Sequence, residues 1–322
     1  MSELKFNYSA SEFEKIPCNL CGKENFSVIS DTTANGRRAN TCMCKNCGLI
    51  FINPRMTKTA YGDYYKYFYR EDRDISGGAS DYGGDAVKNF EGARKFGKEL
   101  ADHLGSFIGK GLIADVGSST GGLLFGVKEK LPYIEAVGIE PSSDEAAFAK
   151  SKGINTLVGL FENFVSDPAY SFSGASAIIC VRSLNHLLDP KSFFDWSYKN
   201  LKHGGHLILS VKNFMEQARR AGQVESGVQI DHPFMFTPEV LKKFVESAGF
   251  KIVHLGTDWQ KGHHIILIGE KNNAAKSVMR AGTSKFQYLR QYLPFWPPFL
   301  RTYYLIFYSH RTSFLRKIFK GN

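Results

Sequence analysis

The chain has 322 residues, 43% of them hydrophobic and 22% charged, which predicts a globular protein with one sizeable core and smaller attachments. Its formal charge of +10 is unevenly placed: residues 271–322 carry ten Lys or Arg and no Asp or Glu, leaving 31 charges of each sign elsewhere. A neutral body with a basic end argues against a protein that coats nucleic acid and points to a local anionic contact.

The N-terminus, MSELKFNYSASEFEKIP, is polar and lacks the apolar core of a signal peptide. No apolar run is long enough to span a bilayer, so the expected location is cytoplasmic. Two matching pieces follow, CNLCG from Cys18 and CKNCG from Cys44. In each Cys-x-x-Cys-Gly turn two thiolates can face one ion while the glycine permits the tight backbone. Cys18, Cys21, Cys44 and Cys47 together therefore predict a structural zinc site of ribbon type. Unliganded thiols or a redox pair are the alternatives, and a reducing compartment with two matched turns favours the metal. Cys42 falls outside the spacing, and Cys180 lies in an apolar run where core packing explains it.

After this ribbon-like region, residues 1–55, the stretch 56–88 is first rich in tyrosine and then in glycine. It reads as a linker, with Tyr64 and Tyr65 either packing between domains or covering a cleft and touching substrate. From Asn89 the pattern alternates. Phe90, Ala93, Phe96, Leu100 and Leu104 recur at helical spacing, and a short strand covers Leu112 to Val116. A glycine-rich turn and a helix come next, then a strand from Ile134 that ends in Glu140. Ser142 and Glu145 cap another helix, which stops at Gly153. Strand-like runs recur at 155–158, 177–181, 206–211, 251–255 and 263–268. A helix from Pro238 to about Ala248 starts after Thr237. The alternation predicts an α/β, Rossmann-like, mostly parallel sheet of seven strands with helices on both faces. The last two runs, lacking a helix between them, should form an antiparallel hairpin.

In such sheets ligands sit beyond the carboxyl ends of the strands. The turn DVGSSTGG, from Asp115, is there by construction, and Glu140, about twenty residues on, can accept from both hydroxyls of a ribose. The order Gly117, Ser118, Ser119, Thr120, Gly121 resembles the D-x-G-x-G-x-G motif of class I S-adenosylmethionine-dependent methyltransferases, with Ser119 at the middle glycine. VGIEP at 137–141, VGLFENF at 158–164, CVRSLNHLLDP at 180–190 and LKHGGHLILSV at 201–211 are similar to further motifs of that family, in order. The resemblance covers residues 89–270. It implies S-adenosylmethionine as cofactor, held by Asp115, Gly117, Ser118, Ser119, Gly121, Glu140, Pro141, Leu160, Phe161, Val181 and Arg182.

A donor that carries its own electrophilic methyl leaves the protein to position an acceptor atom and remove its proton. Candidates for that work are His232 and Asp231 in QIDHPFMFT and His186 in the strand-four motif. The resemblance favours His232 as base, with His186 shaping the substrate side. His203, His206, His263 and His264 flank strands and need no functional reading. The cysteine turns followed by GLIFINPR and a tyrosine-rich stretch look like the zinc-bearing methyltransferases of bacterial sugar and natural-product pathways. That implies a small-molecule or glycan acceptor, with O-methylation favoured over sugar C-methylation because the tail is short. RNA or another nucleic acid is the rival acceptor, weakened by the absence of an N-P-P-Y or Pro-Cys motif after CVRSLN. A non-catalytic docking module is the remaining alternative. The tail, 271–322, interleaves aromatics with Arg and Lys, which suits helices packed on the body or peripheral contact with a membrane or anionic lipid carrier.

Overall fold

The computed structural model describes residues 6–69, 85–167, 170, 172–221, 223–260 and 262–272. The glycine-rich part of the linker and nearly all of the basic tail lie outside the described residues.

The N-terminal region folds as short strands: β1 (Phe13–Glu14), β2 (Phe26–Thr32), β3 (Arg38–Cys44), β4 (Ile50–Ile52) and β5 (Arg55–Met56). β1 and β5 pair antiparallel, and β2, β3 and β4 form a second antiparallel sheet. The tyrosine-rich stretch is not an extended connection at its start. Thr57 caps a helix, α1 (Lys58–Tyr67), by accepting from Ala60 N, and α1 buries Tyr61 and Tyr64.

The helical periodicity that begins near Asn89 becomes α2 (Ala86–Leu104), capped by Asp85 and burying Phe90, Phe96, Leu100 and Leu104. Next come β6 (Gly111–Val116), α3 (Gly122–Lys130), β7 (Ile134–Glu140), α4 (Ser143–Ser151) and β8 (Asn155–Val158). As the capping pattern predicts, Ser142 accepts from Glu145 N, and Gly153 follows α4 with φ +81°. β9 (Ala175–Val181), α5 (Pro190–Asn200), β10 (Leu201–Lys212), α6 (Phe214–Ala221), β11 (Phe234–Met235), α7 (Pro238–Ala248), β12 (Phe250–Thr257) and β13 (His264–Lys271) complete the described chain.

Seven strands form one sheet in the order β12-β13-β10-β9-β6-β7-β8. β6 to β10 run parallel, while β13 enters antiparallel between β10 and β12. That hairpin is the one expected from the two helix-free runs, and it distinguishes this sheet from a six-stranded dinucleotide-binding fold. The Ile, Leu and Val runs of β6, β9, β10 and β13 are buried on both faces. The register sets Asp115 beside Gly138 and Ile179, and Ser210 beside Val181. The carboxyl ends of β6, β7, β9 and β10 therefore open on one side of the sheet. On that side β11, next to His232, joins the N-terminal sheet, which runs β11-β4-β3-β2. No helix among the described residues is long and apolar enough to cross a membrane.

Candidate active site

The turn after β6 is built by backbone hydrogen bonds and small side chains. Gly117 N and Ser118 N both donate to Ile139 O, at 2.8 and 3.1 Å. Ser119 sits at φ +49°, a left-handed conformation that glycine adopts without cost, which is why glycine is the expected occupant. Its N–H donates to Glu140 Oε2 at 2.9 Å, and Ser142 N donates to Oε1 of the same carboxylate at 2.9 Å. Glu140 thus fastens the turn to the start of α4. Gly117 is constrained by space as well: a Cβ there would lie 2.3 Å from Ser183 Oγ, in the loop after β9. Gly121, at φ +76°, starts α3, and its missing Cβ makes room for Ala149.

Three buried oxygens at this turn have no hydrogen-bond partner: Asp115 Oδ1, Ser118 Oγ and Thr120 Oγ1. Such groups are rare in folded proteins and mark places where a ligand or water completes the set. Burial alone pushes the Asp115 carboxyl up to about 7. The Ser118 side chain packs against Gly138 in β7. Val181 and Arg182 follow at the end of β9. Arg182 has φ +58°, donates its N–H to Ser210 O at 2.6 Å, and lays its guanidinium over Phe96.

Of the cofactor-holding residues that the resemblance implies at 158–164, Leu160 is half-buried against the core cluster that includes Tyr61 and Tyr64. Phe161 is core instead, 3% exposed and edge-on to Phe193 and Trp196. Glu162, next in sequence, accepts from Leu188 N at 2.7 Å and Asp189 N at 3.2 Å, and burial raises its carboxyl. Pro141 is half-buried between Glu140 and the Ser142 cap.

A second cluster brings together His186, Asp231 and His232 from two loops, with side-chain ligand atoms all within 4.8 Å. Asp231 Oδ2 lies 3.6 Å from His186 Nδ1 and 4.0 Å from His232 Nε2, and the two imidazoles meet edge-on at 4.5 Å. His232 is 3% exposed, whereas the His186 side chain is 19% exposed. His186 Nδ1 is 3.0 Å from Asp231 O and 2.6 Å from Tyr65 Oη. A carbonyl oxygen can only accept, so these partners assign a proton to Nδ1.

Tyr61 Oη reaches both His186 O, at 2.8 Å, and Asp231 O, at 2.6 Å, clamping the two loops together. Burial pushes the Tyr61 and Tyr65 phenols well above their ordinary value. Tyr64 points away from this cluster into the N-terminal core, against Phe6 and Tyr69. Tyr61 escaped the sequence reading, although its four-residue spacing from Tyr65 places both on one face of a helix. Asn185, whose Nδ2 donates to Phe234 O at 3.0 Å, escaped it too; nothing local in the sequence marks that bond.

The four cysteines converge as their spacing predicts. Cys18 and Cys47 sulfurs are 3.3 Å apart, Cys21 and Cys44 sulfurs 3.5 Å, and all four lie within 4.8 Å of one another. A tetrahedral tetrathiolate with metal–sulfur bonds of about 2.3 Å needs sulfur–sulfur spacings near 3.8 Å, which this donor set fits. Thiol hydrogen bonds from Cys18, Cys21 and Cys47 hold Cys44 well below the ordinary thiol range.

A family model described as a methyltransferase domain matches residues 92–255, slightly more than half of the chain. The chain belongs to the methyltransferase-domain family. No curated protein matches this methyltransferase by sequence. Among solved structures it is similar to the Haloferax volcanii complex of the Trm112 methyltransferase activator with a methyltransferase, at 13% identity and a TM-score of 0.47 over 58% of this chain and 96% of that one. It is likewise similar to a SAM-dependent methyltransferase from Archaeoglobus fulgidus, at 17% and 0.46 over 57% and 97%. The plantazolicin methyltransferase in complex with SAH gives 12% and 0.48 over 66% and 94%.

The glycine turn offers a buried carboxyl and unpartnered hydroxyl oxygens. The His186–Asp231–His232 cluster offers imidazoles flanked by a carboxylate and phenols, a set suited to receiving a proton.

Proposed function

We propose that this methyltransferase uses S-adenosylmethionine to methylate a hydroxyl of a sugar or glycan-type acceptor. The observation that carries the reading is a pair of sites at the carboxyl edge of the sheet: a turn with orphaned buried oxygens after β6, and the His186–Asp231–His232 cluster in the loops after β9 and β10. S-adenosylmethionine, when bound, supplies a sulfonium methyl as electrophile.

The orphaned Asp115 carboxyl fits an ammonium group, and the Gly117–Gly121 backbone lines the approach. Glu140, Pro141, Leu160, Val181 and Arg182 would hold the rest of such a ligand, with Phe161 supporting from the core. On the acceptor side His186, held at Nδ1 by Asp231 O and Tyr65, shapes the substrate side. His232 behind it is the base of this reading, and Asp231 stabilises the positive charge that develops on the histidine pair.

The cysteine cluster is read as a structural zinc site, because its donor set is four thiolates with no open position. The basic tail is read as a contact for an anionic lipid carrier; flotation of the chain with anionic vesicles, with and without residues 271–322, tests it. For the main reading, the test is incubation with methyl-labelled S-adenosylmethionine against nucleotide sugars, lipid-linked glycans and RNA. Label in a sugar oxygen supports it. Label confined to RNA overturns it, and label on a sugar carbon moves the assignment to C-methylation.

A further inference from the structure

The two cysteine turns hold different loops of the acceptor side. Asn19, between Cys18 and Cys21, donates from Nδ2 to Asp189 Oδ1 at 2.8 Å and accepts from Lys191 N at 2.9 Å. Asp189 caps α5 and ends the loop that carries His186 three residues earlier. Arg55, just beyond β4, donates to Leu188 O in the same loop.

The second turn reaches the other loop. Cys44 N donates to Leu49 O at 2.8 Å, closing the turn from which β4 emerges. β4 pairs with β11, Phe51 opposite Phe234 and Ile50 opposite Met235. Ile52 N donates to Pro233 O at 2.9 Å, one residue after His232. From α7, Lys243 Nζ donates to Cys47 O at 2.8 Å. The sulfur contacts then cross between the two turns, Cys18 to Cys47 and Cys21 to Cys44. The supports of His186 and of His232 thus converge on one point, the thiol cluster.

We propose that the four-cysteine cluster is a clasp that positions the acceptor-side histidines: a metal held by Cys18, Cys21, Cys44 and Cys47 locks the His186 loop and the Asp231–His232 loop at a fixed spacing. The inference rests on the zinc reading of the cysteines. On binding, each thiol that becomes a ligand releases its proton to solvent, and no electron is transferred. A ribbon serving nucleic acid would be free to move apart from the acceptor side; this one shares a sheet with it.

The test uses the full chain. Bound zinc is counted, then removed with a chelator under reducing conditions. Backbone hydrogen exchange is followed in residues 184–189 and 230–236, and S-adenosylmethionine affinity is measured by calorimetry. The clasp predicts one zinc per chain. It also predicts exchange at least about tenfold faster in both segments after removal, with β6, β7 and donor affinity changed less than about twofold. A chain without zinc sinks the zinc reading and the clasp with it. One zinc whose removal leaves both segments unmoved, or loosens the whole large sheet equally, sinks the clasp alone. The Asn19→Ala variant keeps all four ligands; it should retain zinc and speed exchange at 184–189 while leaving 230–236 unchanged. No change at 184–189, or an equal rise in both segments, would contradict it.

Discussion

At the scale of single residues, Asp115 is the most informative group. Its carboxyl is held near 7 by burial, with one oxygen unpartnered. A carboxyl raised in the fold costs stability wherever the unfolded chain is ionised and the folded chain is not. That cost is absent below the ordinary value of 3.8, grows as pH rises, and is complete above about 7. The gap corresponds to ~4 kcal/mol at most. Asp115→Asn should therefore stabilise the ligand-free protein by about 2–4 kcal/mol at pH 8 and by almost nothing at pH 3, read by urea unfolding. If Asp115 meets the donor's ammonium, S-adenosylmethionine affinity should rise severalfold between about pH 6 and about pH 7.5, and the Asn variant should lose that rise. A flat profile in the wild type would remove Asp115 from the donor site. Ser119 and Arg182, the two non-glycine residues at positive φ among those described, flank the same cleft. Backbone strain concentrated where a ligand is expected is the pattern of a working site.

At the scale of elements, the glycines have divided duties. Gly117 meets the cleft, while Gly122 and Gly126 let α3 lie directly on α2. A Cβ on Gly126 would fall 2.1 Å from Arg94 O, and one on Gly122 2.3 Å from Phe90 O. Because the obstruction is backbone, Gly126→Ala must push the helices apart, and it should cost about 1–3 kcal/mol in thermal or denaturant unfolding. No loss of stability would mean the α2–α3 contact is looser than the geometry shows. The sequence could not separate these duties, since a glycine-rich turn looks alike whether the room serves a ligand or a helix.

Strands and caps were more legible. The apolar runs fixed β6 to β8 almost to the residue, and Thr237–Pro238 marked the start of α7 because both signals act locally. What escaped depends on distant partners. β11 is two residues inside HPFMFT, too short to show a period, and exists because β4 supplies its hydrogen bonds. α1 was hidden in a run of tyrosines whose burial against His186 and Asp231 only the fold reveals. The convergence of the four cysteines, by contrast, could be read from spacing. The gathering of His186, Asp231 and His232 could be expected only in outline, from their positions after β9 and β10.

At the scale of the whole molecule, two sheets meet at the acceptor side. The large sheet delivers the glycine turn and the histidine loops, and the N-terminal sheet meets the histidine loops through β11 and α1. Tyr61 carries this union, with one hydroxyl bridging His186 O and Asp231 O. Tyr61→Phe should keep donor affinity within about twofold and slow methyl transfer about tenfold or more, because two backbone carbonyls lose their shared buried donor. Equal loss of donor binding and turnover would show a general loosening instead.

The most direct test of the central claim is methyl transfer by His232→Ala, measured beside calorimetric titration with S-adenosylmethionine. The account predicts donor affinity within about twofold of wild type and turnover lower by about 10²–10⁴, the usual contribution of a positioned base. Unchanged turnover would contradict it, as would the absence of any donor binding by the wild-type chain.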